Sequence, residues 1–92
     1  MASKETKEIK TSTGFVCEIN PVILDDMELL DALAEAEENA LVMTKILNKV
    51  LGPQKAALYD HVRAEDGRVP IEAAAKELAE IFVSAGKELK NS

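Results

Sequence analysis

One run, "ALVMTKILNKVLGP" at residues 40–53, constrains the fold more than any other part of the chain. Val42, Met43, Ile46, Leu47, Val50 and Leu51 recur at the intervals of one broad helix face. That stripe is a core signal, and other elements have to cover it. Gly52 stops the helix and Pro53 begins the next one.

The cover must come from a short chain. Ninety-two residues make one domain, and such a domain buries roughly 60–65% of its unfolded surface. The apolar fraction of 47% is ordinary for a globular chain and too high for disorder. Residues 7–19, "KEIKTSTGFVCEI", read as a β-hairpin. Ile9 and Thr11 alternate with polar neighbours, "STG" is the turn, and Phe15, Cys17 and Ile19 share one face. Asn20 and Pro21 open a short turn. Asp25 and Glu28 have capping-box spacing before "MELLDALAEAEEN", whose apolar stripe is Leu29, Leu30 and Leu33. Asn39 is a break or a new cap. From Pro53, "PQKAALYDHVRAE" is a third helix burying Ala57, Leu58 and Val62, with Tyr59 partly covered. "EDGRVP" is a stop, a Gly-centred turn and a restart. The last helix runs from Pro70, with Ile71, Ala74, Ala75, Leu78, Ile81, Phe82 and Ala85 inward.

The expected architecture is mainly α: a small helical domain of about four helices with an N-terminal β-hairpin. It occupies residues 7–86, between a flexible N-terminus at 1–6 and a polar C-terminal tail at 87–92.

Charge narrows the partners. The net charge of −6 is local: residues 11–44 carry eight acids and no Lys or Arg, while the flanking segments are each slightly basic. Nucleic acid is an unfavourable partner for such a chain. A basic partner, or a solvated acidic face, fits better. No apolar run is long enough to span a membrane, and the charged start "MASKETKEIK" lacks an apolar signal core, so an intracellular protein is expected.

Chemical sites are weakly represented. Asp60, His61, Glu65 and Asp66 match neither an EF-hand loop nor a zinc pattern. Cys17 has no evident activating base and reads as a small core residue. "LGPQK" lacks the glycines and hydroxyl of a phosphate loop. No cofactor, metal or catalytic residue is expected, and the chain reads as a non-enzyme. Two surfaces are candidates for a partner. One is the acidic helix face of Glu28, Asp31 and Glu35, with Glu38 beside them. The other is the last helix, with Leu78, Ile81 and Phe82, where Ala73, Ala74 and Ala75 would let a second helix approach closely.

Three segments, in this order, carry a resemblance: "TSTGFVCEINPVILDDMELLDALAEAEE", "KILNKVLGPQKAALYDHVRAEDGRVPIEA" and "ELAEIF" before a Lys-rich end. Over residues 7–92 the chain resembles the tail assembly chaperones of long-tailed, siphovirus-type phages of Gram-positive bacteria. The resemblance implies a protein that binds the tape measure protein, a very long apolar-rich helical chain. It would keep that chain soluble until tail tube subunits, a second expected partner, polymerise around it. The resemblance also implies self-association, work in the host bacterial cytoplasm during infection or prophage expression, and absence from the mature virion. Proteins of that family commonly come in two lengths, the longer made by a ribosomal frameshift near the end of the short form, and Gly86–Lys87 or the Lys90 region is where such a slip site could sit here.

The competing reading is a small acidic helical adaptor or inhibitor that binds a basic protein, including a DNA mimic. A DNA mimic would spread carboxylates over most of its surface, and the second half here is nearly charge-balanced. A carrier protein would need a Ser in an Asp-Ser-Leu setting, which is missing, and a helical mutase would want more arginines than Arg63 and Arg68.

Overall fold

Helix α4, Ile71–Asn91, is the longest element among the described residues and packs chiefly against the strand Lys7–Lys10, the helix Lys55–Val62 and the turn Pro21–Leu24. The computed structural model describes residues 6–91, with side chains as far as Lys87. Strands β1 (Lys7–Lys10) and β2 (Val16–Ile19) form an antiparallel hairpin that pairs Ile9 with Cys17 and Lys7 with Ile19. Helix α1 spans Met27–Ala36, α2 spans Met43–Leu51 and α3 spans Lys55–Val62. Short 3-10 turns at Pro21–Leu24, Ala40–Val42 and Gly52–Gln54 join them. The protein is therefore mainly helical with an N-terminal hairpin.

The hairpin follows the alternation in its sequence. Ile9, Thr11, Phe15, Cys17 and Ile19 all point into the core, while Glu8, Val16 and Glu18 face out. Gly14, at φ 97°, supplies the left-handed residue of the turn, which Gly14 N–H closes on the Thr11 carbonyl at 3.0 Å. The outer edge of β2 is completed by a side chain. Gln54 accepts from the Glu18 N–H at 2.8 Å and donates to the Glu18 carbonyl at 2.9 Å, as another strand would.

Ile46, Leu47, Val50 and Leu51 of α2 are all buried, and they meet Leu58 of α3 and Leu78, Ile81 and Ala85 of α4 in one core. "EDGRVP" is the interhelical turn its composition implied. Gly67, at φ 94°, lets Ala64 N–H reach the Arg68 carbonyl at 2.8 Å, and the Arg63 guanidinium donates to the Gly67 carbonyl at 2.9 Å.

Local expectations differ at several positions. The cap of α1 is Asp26, which accepts from the Glu28 N–H at 2.9 Å, and not Asp25. Leu30 is 56% exposed and only Leu29 of that helix is fully buried, because α1 rests on α2 along one narrow line. Ala57 is exposed, since α3 turns only Leu58 fully inward. Ile71 is 66% exposed because it lies in the first turn of α4, beyond the bundle's overlap. The helix also continues past Gly86 to Asn91, where a polar tail was expected. Residues 1–5 of the expected flexible N-terminus lie outside the described residues.

Candidate functional site

The acids and the apolar residues of the helical layer end up on different surfaces. Where α1, α2 and α4 meet, they leave an apolar groove of about 400 Å3. Its floor is Ile46 and Leu78, which are 1% and 5% exposed. Its walls are Leu33 and Ala36 of α1, Met43 of α2 and Phe82 of α4, all half-buried. Ala75 and Ala79 stand on the α4 side, where small side chains keep the groove open. Glu37 is the only acid on this lining.

A second, smaller cavity of about 260 Å3 adjoins it, and Met43 lines both. Leu41 and Ile71, 79% and 66% exposed, stand on its edge together with Tyr59 and Val69. Apolar surface therefore runs from Phe82 past Met43 to Leu41 and Ile71. Singly exposed apolar residues are unremarkable, but a contiguous concave strip is what a docked helix face covers.

The three candidates on the last helix divide. Ile81 is fully buried and lines no groove, so it is corrected to core, while Leu78 is buried in the core and also forms the groove floor. Phe82 stands at the groove wall, half-buried. Glu28, Asp31 and Glu35 are exposed, but a turn of 3.6 residues places them on the side of α1 opposite Leu33 and Ala36. They form a separate acidic face and not the rim of the groove. Leu33, Met43, Leu41 and Ile71 were read only as core or left unassigned. Their signal is crowding: the helices and the turn at Ala40–Val42 carry more apolar residues than so small a bundle can enclose.

Electrostatics ties α1 to α2. Lys49 Nζ lies 2.9 Å from Asp26, and this pairing, followed by the Glu28 N–H bond, holds the Asp26 carboxyl below its usual range. Asp60 pairs with Arg63 at 3.0 Å and Asp66 with Arg68 at 2.7 Å, so two of the acids weighed above as metal ligands serve the turn. Cys17 is buried, and burial first, then the charge of Glu77, pushes its thiol up to about 11, which leaves it a poor nucleophile.

Sequence reading passed over Glu77 and Glu80. Ser12 donates to Glu80 through its N–H and its hydroxyl, each at 2.7 Å, and the Thr13 hydroxyl donates to Glu77. Two acids one helical turn apart thus hold the hairpin turn against α4. The signal was available: Glu77 falls on the same periodic stripe as Ala74, Leu78, Ile81 and Ala85, where a charge is out of pattern.

No helix of the described residues is long and apolar enough to cross a membrane. No protein-family model, curated protein or solved structure matches this chain.

Proposed function

We propose that the protein is a non-enzymatic tail assembly chaperone that holds segments of a phage tape measure protein in the groove between α1, α2 and α4. The observation that supports this reading most is the apolar strip from Phe82 to Ile71, in which half-buried Leu33, Met43 and Phe82 stand around a well-packed floor and lead to exposed Leu41 and Ile71. A tape measure chain that has not been assembled exposes apolar helix faces along its length. A groove walled by Leu33, Met43 and Phe82 can take such a face, and Met43 adapts to differing side chains. Buried apolar area contributes roughly 25 cal/mol per Å2 before the losses of association. A shallow groove gives the moderate affinity that a holder needs if tube subunits are to displace it.

The acidic face of Glu28, Asp31 and Glu35 supports a second contact, an adaptor-like one with a basic segment. On the chaperone reading it raises the encounter rate and contributes little to the docked state.

Co-expression tests the proposal. The tape measure protein should be soluble with the wild-type chain and insoluble without it. Phe82→Asp should fold, because Phe82 is only half-buried, and should lose the rescue. Full rescue by a folded Phe82→Asp protein would remove the groove from the mechanism. Failure of the wild-type protein to rescue would remove the chaperone function.

A further inference from the structure

On the side of α4 away from the groove, the hairpin turn, α3 and α4 enclose another recess, of about 460 Å3. Its lining is more polar than the groove's, with Ser12, Thr13, His61, Lys76, Glu77 and Glu80 beside Val62 and Ala73. Glu77 is 3% exposed, and its Oε1 has no hydrogen-bond partner among the described residues. A buried carboxylate oxygen without a donor is a costly arrangement that few folded proteins retain.

The proton inventory shows what is missing. Thr13 gives its single hydroxyl proton to Glu77 Oε2. Thr13 Oγ1, 2.9 Å from His61 Nε2, must then accept from the ring, which places the ring proton on Nε2. Glu80, held below the usual carboxylate range by the Ser12 hydroxyl and then the Ser12 amide, stays charged at the same recess. The recess has negative charge and acceptors, and no donor left over for Glu77 Oε1. Lys76 lines it too, but no ion pair among the described residues involves Lys76. The described residues contain no cluster of three His, Cys, Asp or Glu side chains suited to a metal ion, so an N–H cation fits the lining better.

We propose that this recess binds a primary ammonium group, the chemistry of a lysine side chain on a partner or of a free alkylamine. An ammonium brings three donors. One meets Glu77 Oε1, and Glu80 supplies a second negative charge within the same lining. The bond to Glu77 is charge-assisted and shielded from water, which makes it the stronger of the two. The site is independent of the apolar groove and does not rest on the chaperone reading.

The test is an amide NMR titration of the whole chain with n-butylammonium chloride, with n-butanol and sodium chloride at matched ionic strength as controls. Saturable shifts at Thr13, His61 and Glu77 are expected with the amine and not with either control. Glu77→Gln should weaken binding about tenfold, the loss of one charge-assisted contact. Lys76→Met should strengthen it by removing a competing cation. Nα-acetyl-lysine N-methylamide binding more tightly than butylammonium assigns the site to a partner's lysine, and the reverse order assigns it to a free amine. Unsaturable shifts, shifts reproduced by sodium chloride alone, or unchanged affinity in a folded Glu77→Gln protein would overturn the proposal. If Glu77→Gln does not fold, Glu80→Gln and Lys76→Met decide, and unchanged affinity in both overturns it.

Discussion

Helices α1 and α2 are nearly equal in length, at ten and nine residues, and lie side by side, yet α2 buries four side chains completely and α1 buries one. α2 is enclosed by β2, α1 and α3, and its apolar stripe is satisfied on nearly every side. α1 is held by Leu29, by partial contacts of Ala32, Leu33 and Ala36, and by the Asp26–Lys49 pair. The difference teaches where this fold is closed and where it is open. α2 is scaffold. α1 is a wall whose inner residues are half-covered, which is the condition a binding groove requires.

The contrast can be broken most forcefully at Ile46. Ile46→Ala should destabilise the protein by about 2–5 kcal/mol, the range for a fully buried aliphatic residue. Leu33→Ala, at a half-covered position, should lose only about 1 kcal/mol, yet should weaken partner binding. Thermal melts of the two variants check this. Equal losses would mean that α1 is packed as firmly as α2. A smaller effect comes from acid. The Asp26 carboxyl is depressed in the folded state, so its stabilisation is present above the ordinary value of 3.8 and is lost as pH falls through the lower folded value. Asp26→Asn should therefore reduce stability at neutral pH, and its melting temperature should fall less than the wild type's on acidification below that value. Parallel pH curves would show that the pair does not hold α1. The smallest effect on stability should follow from Glu28→Lys, Asp31→Lys and Glu35→Lys combined. These exposed positions should leave the melt nearly unchanged and slow partner association several-fold at low salt, with the difference shrinking as salt rises. Stopped-flow association at two ionic strengths would show it.

Periodicity made α2 legible, because every residue on its stripe except the half-buried Met43 is covered, and pattern and burial nearly coincide. The hairpin was legible for the same reason: alternation and Gly14 left one register. α1 was less so. Leu29, Leu30 and Leu33 look equivalent in sequence, and only the crossing of α1 over α2 decides that Leu29 is enclosed, Leu33 is half-covered and Leu30 faces water. The groove itself was half legible. Phe82 and Ala75 pointed toward it, while Ala73 lines the opposite recess, and the wall from α1 and the strip to Leu41 and Ile71 depend on packing that no local pattern contains. Glu77 is the instructive miss. Its place on an apolar stripe marked it, while its partner Thr13 lies 64 residues away in a turn, so the chemistry became visible only when the chain had folded.

The central claim is that the face between α1, α2 and α4 is where a partner helix docks. Hydrogen–deuterium exchange of the protein with and without an amphipathic helical segment of the tape measure protein tests it most directly. The account predicts new protection in α1 and around Phe82 in α4, with little change in α2, which is already closed. Protection confined to the hairpin and α3, with α1 exchanging as in the free protein, would contradict it.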